Sequence, residues 1–102
     1  MPQFLITARD KASSTDLRKR TRSDHLDWAR SHADRILMAG PILTEDEADM
    51  IGSVFLISAA SLEDARLWNE DDPYSRAGLF QSVDIMPVRW LLGEGRPAAK
   101  PG

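Results

Sequence analysis

The segment from Ile51 to Ala59 places Phe55 and Ile57 on one face of an extended chain and Val54 and Leu56 on the other. Side chains alternate along a strand, so this strand has no polar face and must be covered on both sides. Helices packed on one sheet face cover half of that need. The other half would stay as an apolar patch larger than a monomer tolerates, and a second copy of the chain is the economical cover. The expectation is a homodimer joined through its sheet faces; a standard interface of about 1,600 Å² in total would suffice.

The remaining pattern supplies partners for that strand. Phe4 to Ala8 is a short β-prone run that ends at charged Arg9-Asp10-Lys11, and Ser13-Ser14-Thr15-Asp16 then offers helix-start chemistry. Helical spacing continues from Leu17 to about Asp34, with His25 at the margin of the apolar side. Arg35 to Pro41 reads as a strand stopped by Gly40-Pro41, and Thr44 to Asp49 as an acidic loop. After the central strand, Ser61-Leu62-Glu63-Asp64 resembles a capping box and starts a helix reaching about Glu70. Leu79 to Leu92 reads as the final strand, with Pro87 implying an edge position or a bulge. The order βαββαβ predicts an α+β, ferredoxin-like fold: a four-stranded antiparallel sheet with two helices on one face.

At 102 residues the chain fits one domain over 1–92, and Gly- and Pro-rich 93–102 is expected to be a flexible tail. A net charge of -3 gives no electrostatic footprint for nucleic acid or an anionic membrane, so neither is an expected partner. Arg18-Lys19-Arg20 with Arg22 reads as a solvated face, because helical geometry spreads these side chains and acids follow at once. With no cysteine, disulfides and thiolate chemistry are excluded. No leader-like segment or long apolar run is present, so the expected location is cytoplasmic. No phosphate-cradling glycine loop exists, since Gly93-Glu94-Gly95 opens the tail, and no cofactor is expected.

The candidate chemistry lies in two distant segments. His25 sits on the first helix, and Asp72, held at a turn by Pro73, could orient it. A carboxylate accepting from one imidazole nitrogen leaves the other free as a base. Arg22, three residues before His25, could bind a substrate carboxylate or form a surface salt bridge. Tyr74 could donate to an anionic substrate oxygen or simply pack. Ser53 has no visible activating partner, so a nucleophilic role is not expected. His32 lies two helical turns from His25, but no compact third ligand is apparent and no metal site is expected. Trp28, Trp68 and Trp90 are too dispersed in sequence for a binding stripe and are expected to be core or interface anchors.

Asp72-Pro73-Tyr74-Ser75-Arg76-Ala77-Gly78-Leu79-Phe80, then Val83-Asp84-Ile85-Met86-Pro87, together with Arg22-Ser23-Asp24-His25-Leu26, Ala39-Gly40-Pro41 and Gly52-Ser53, resemble the YCII-related (YciI-like) domain family over about residues 3 to 92. The resemblance implies a ferredoxin-like fold that pairs into a dimeric α+β barrel. It also implies a cleft in which a histidine and an aspartate act together, here His25 and Asp72. Arg22, Ser53 and Tyr74, read from their own chemistry, are the candidate substrate contacts. The family includes enzymes that remove chloride from chlorinated hydroxylated aromatics. The implied function is a small-molecule enzyme of lyase, isomerase or hydrolase type acting on a cyclic or aromatic compound. The alternative is a non-catalytic small-ligand-binding or regulatory dimerisation module, in which the same pair is structural. Two departures from the family pattern are Asp71, an extra acid that could compete for the histidine, and the tail beyond Gly93.

Overall fold

The structure, a computed structural model, describes residues 1–94. Of the tail expected at 93–102, all but the first two residues lie outside the described residues. The elements are β1 (Gln3–Asp10), α1 (Thr15–Ser31), β2 (Ile36–Leu43), β3 (Met50–Ser58), α2 (Leu62–Glu70), α3 (Pro73–Arg76) and β4 (Phe80–Val88). All strand pairs are antiparallel, in the order β2-β3-β1-β4. This is the ferredoxin-like α+β fold, with the short α3 added before the last strand. Among the described residues no helix is long and apolar enough to cross a membrane.

Register converts the alternation into two surfaces. On the helix-covered side, Ile57 pairs with Phe4 and Ile36, and Phe55 with Ile6 and Ala39. Phe4, Ile6, Phe55 and Ile57 form the core with Ala65 and Trp68 of α2. On the other side a single row crosses all four strands: Met38 opposite Leu56, Leu56 opposite Leu5, Leu5 opposite Met86. The outer members of that row, Met38 and Met86, are 41% and 48% exposed. The open face thus carries one apolar row, flanked by polar pairs such as Thr7 with Asp84 and Arg9 with Ser82.

Three boundaries differ from the sequence expectation, each for a local reason. β2 continues through Gly40-Pro41 to Leu43, because it is an edge strand where the N–H that proline lacks is not needed by a second neighbour. Pro87 also lies on an edge strand, β4, opposite Phe4, without a register shift there. β4 ends at Val88 instead of Leu92, and Trp90 instead donates its backbone N–H to the Gln3 side chain at 2.8 Å. α1 ends at Ser31, short of Asp34.

The helix starts also separate. Ser61 caps α2 by accepting from Asp64 N at 3.1 Å, while the Asp64 carboxylate reaches back to Ala60 N and takes Arg35 from β2's approach. Ser14 occupies the N-cap of α1 but makes no side-chain cap bond. The only buried residue of α1 is Arg18. The basic run is therefore not uniformly a solvated face, which corrects the sequence reading.

Gly52 has a packing reason. It lies where β3 meets β1 and β2, opposite Arg9 and Ile42, and an added Cβ would run into the carbonyl oxygen of Ala8. Backbone cannot retreat as a flexible side chain can. Gly52→Ala is expected to destabilise the fold by about 1–3 kcal/mol, read as a lower urea midpoint with unchanged slope.

Candidate active site

The site is built on a turn that local chemistry specifies. Pro73 disfavours helical geometry at Asp72, whose φ of -58 and ψ of 128 place it outside α2, and its carboxylate then caps α3 by accepting from Tyr74 N at 2.9 Å. Pro73 itself occupies the first turn of α3, where no N–H is needed. At the other end Gly78 takes φ +75, with Gly78 N bonded to Ser75 O and Leu79 N to Tyr74 O, which is a Schellman closure. A four-residue helix is thus closed at both ends, and Leu79 is driven into the interior.

Asp72 is fully buried. Its Oδ1 lies 2.7 Å from His25 Nδ1, so one oxygen serves both the cap and the imidazole from 47 residues away. The His25 ring also stacks on Tyr74, with centroids 4.0 Å apart and planes at 16°. Two contacts therefore hold the ring orientation. With Nδ1 donating to the carboxylate, Nε2 is left without a hydrogen-bond partner among the described residues. Asp71, the possible competitor, points elsewhere: it accepts from the Trp28 indole at 3.1 Å and from Arg76. The hydrogen bonds from Arg76 and then Trp28 hold the Asp71 carboxyl below the usual carboxylate range.

Next to this pair lies Arg18, which the sequence reading missed as a site residue. Its guanidinium is bidentate on Asp10, Nε to Oδ2 at 2.7 Å and Nη2 to Oδ1 at 2.9 Å, and donates to Ser53 Oγ at 2.9 Å. The same group lies over the Tyr74 ring at 4.5 Å. Burial works to lower the Arg18 pKa, but the bond and charge of Asp10, helped by Tyr74, raise it above the ordinary guanidinium value. Burial is also the main cause that pushes the Tyr74 phenol upward; the charge of Asp72 adds to this, and Arg18 opposes it. Tyr74 is thus a neutral hydroxyl at ordinary pH. The overlooked signal was spacing: Arg18, Arg22, His25 and Ala29 fall at i, i+4, i+7 and i+11, a single stripe along α1.

That stripe forms one wall of a cavity of about 150 Å³ whose lining includes His25, Arg22, Ser53 and Tyr74. The facing wall is Ala39, Gly40 and Pro41 of β2. Small residues on both walls, Ala29 against Ala39 and Gly40, keep the helix and the hairpin from filling the space. Arg22 is exposed and, among the described residues, forms no ion pair, so the expected surface salt bridge is not made. The structure therefore brings His25, Asp72, Tyr74, Ser53 and Arg22 to one place. Ser53 there accepts from Arg18 and, among the described residues, bonds to no histidine or carboxylate that could take its proton.

The other aromatic residues extend this cluster. Trp28 and Trp68, far apart in sequence, pack with ring centroids 4.5 Å apart and planes tilted by 41°, and the Trp68 indole donates to His32 Nδ1 at 3.2 Å. The two histidines are thus tied to different partners, and among the described residues no three His, Asp or Glu side chains converge. Trp90 stays apart and bonds to Leu92 O.

Known proteins resemble this chain in sequence and in fold. Protein YciI of Escherichia coli O6:H1 and that of Shigella flexneri are each 34% identical over 93 residues, covering 84% of this chain and 95% of theirs. Among solved structures, 5-chloro-2-hydroxyhydroquinone dehydrochlorinase (TftG) from Burkholderia phenoliruptrix AC1100, in complex with 2,5-dihydroxybenzoquinone, superposes with a TM-score of 0.77. It is 29% identical and covers 93% of this chain and 99% of its own. A protein from Nitrosomonas europaea, at 18% identity and a TM-score of 0.52 over 90% of this chain and all of its own, shares the fold alone. The model of the YCII-related domain matches residues 2–89, the whole span from β1 to the end of β4, and on that match the chain belongs to the YCII-related domain family.

Proposed function

We propose that this protein is a small-molecule enzyme that moves protons on a hydroxylated single-ring substrate, with His25 as acid–base and Asp72 as its orienting carboxylate. The observation that carries the reading is the 2.7 Å bond from a fully buried carboxylate to an imidazole that lines a cavity. An apolar cavity of about 150 Å³ admits a benzene-sized guest in other proteins, which matches one ring and little more. The similarity to a dehydrochlorinase bound to a dihydroxybenzoquinone supports the same substrate type.

The proton path follows from the hydrogen bonds. Asp72 accepts from Nδ1–H, so the Nε2 lone pair takes a proton from a ring hydroxyl and the imidazolium is stabilised by the adjacent carboxylate. The charge left on the ring oxygen faces Arg22, and the neutral Tyr74 hydroxyl is available as a donor. An electron-rich ring oxygen of this kind is the starting point for tautomerisation, in which it becomes a carbonyl and His25 returns its proton to a ring carbon; where that carbon bears a leaving group, a second ring hydroxyl that gives its proton to His25 can expel the group as an anion and leave a quinone. The apolar row on the sheet face opposite the helices needs cover as well. We infer that the Met38–Leu56–Leu5–Met86 row is closed by the same row of a second copy, giving a homodimer through the sheet faces.

A thermal-shift screen of hydroxylated benzenes and quinones, including 2,5-dihydroxybenzoquinone, with turnover assays on the hits, tests the catalytic reading. Substrate turnover is expected to fall about 10²–10⁴-fold in His25→Ala with folding retained. Asp72→Asn keeps an N-cap side chain but loses the charge, so it should stay folded and lose turnover on a comparable scale of about 10⁴-fold. Unchanged turnover in His25→Ala, or no ring compound that binds, would overturn the reading. Light scattering at micromolar concentration should give twice the chain mass of 11.4 kDa; the monomer mass would remove the dimer.

Tyr74 is the only tyrosine, so tyrosinate absorbance reads it alone. Its midpoint in the folded protein should lie above that of the urea-unfolded chain, whose phenol ionises near about pH 10. Because folding favours the protonated phenol, this contribution to stability is complete below that pH and declines as pH rises through the folded midpoint. Coincident midpoints would show that the phenol is not sequestered.

A further inference from the structure

The His25 cavity has a neighbour across Arg22. A second space of about 320 Å³ is lined by Thr15, Arg18, Lys19, Arg22, Ala48, Asp49 and Met50, and it shares Arg18, Arg22 and Met50 with the first. The two compartments follow two stripes on α1 that meet at Arg22. One is Arg18, Arg22, His25; the other is Thr15, Lys19, Arg22, again at i, i+4 and i+7. The outer compartment is twice the size of the inner one, larger than a single-ring guest requires.

Its charge is distinctive in a chain of net charge -3. Arg18 is neutralised by its bidentate pairing with Asp10, so it contributes donors and no net charge. Lys19 and Arg22 form no ion pair among the described residues, and the acid that lines the space is Asp49 alone. The local balance is one positive charge. Thr15 is the first residue of α1, and the Ser14 N-cap side chain makes no bond to the first turn, so helix N–H groups there lack a side-chain partner; Asp16 is the acid of that turn.

Resting on the ring-binding reading of the His25 cavity, we propose that the substrate carries a carboxylate on a short arm. The ring occupies the inner compartment and the arm passes Arg22, placing the carboxylate against Lys19 and Arg22 in the outer one. Each contact is a charge-assisted hydrogen bond of the kind that outweighs neutral ones. Held at both ends, the ring presents a fixed edge to Nε2, which ties the position of the reacting hydroxyl to a group remote from it. The substrate class is therefore ring-bearing carboxylic acids whose acid group is set off from the ring by a short flexible linker.

Calorimetric titration of the full chain with two matched probes, catechol and 3,4-dihydroxyphenylacetate, tests this. The carboxylate probe is expected to bind about tenfold more tightly at low salt, the advantage shrinking as salt rises. Lys19→Glu, at an exposed position, should abolish that advantage while leaving catechol affinity as it was. Equal affinities for the two probes in the wild type, or a preference that survives Lys19→Glu, would overturn the carboxylate arm and leave ring binding standing. Failure of both probes to bind would instead remove the ring reading, and this inference with it.

Discussion

One carboxylate, Asp72, joins the local and the long-range parts of this structure. Its Oδ1 closes the first turn of α3 and at the same time receives the imidazole of α1. A buried charge is costly unless hydrogen-bonded, and both available donors come from elements that would otherwise be free to move. The position of α1 over the sheet is thus coupled to the α2–α3 turn through this buried atom, beside the more exposed bond from Trp28 to Asp71. The other oxygen of Asp72, Oδ2, has no partner among the described residues, as do Asn69 Oδ1 and Ser75 Oγ on the same junction. The polar demand of the interior is concentrated behind the candidate site, where the chain spends hydrogen-bonding capacity on orientation.

Arg18 plays a parallel part at the other end of the pocket. It is the buried residue of a helix that otherwise presents only partly covered side chains. Its five donors in a planar fork satisfy Asp10 twice and Ser53 once, linking β1, α1 and β3. A helix fastened at Arg18 and His25, with small Ala29 beyond and Ala39-Gly40 opposite, cannot collapse onto the hairpin. The cavity is a consequence of where α1 is fastened.

Much of the fold was legible because its determinants are local. Alternation in β3, the Ser61 cap and the Asp72-Pro73 turn each act within a few residues, and βαββαβ order follows from them. The Schellman closure at Gly78 is also local, yet the short α3 it ends was hidden because four residues carry no helical periodicity. The errors arose where a neighbour in space decides. Gly40-Pro41 would stop a central strand and does not stop an edge strand. The Arg18-Lys19-Arg20 run looked uniformly solvated, but Asp10 on β1 selects the first of the three for burial while Lys19 and Arg20 remain exposed.

By itself the sequence determined that β3 carries apolar side chains on both faces, that Asp72 cannot continue α2, and that His25 and Asp72 are suitable partners by type. These depend on side-chain alternation, on the steric effect of proline and on the chemistry of imidazole and carboxylate. Only the tertiary structure decided that the two groups lie 2.7 Å apart, that Asp71 turns to Trp28 and Arg76 instead, and that Arg22 stands unpaired between two compartments. Such facts depend on contacts between residues tens of positions apart, and those distances vanish only when the sheet register sets α1 against the turn.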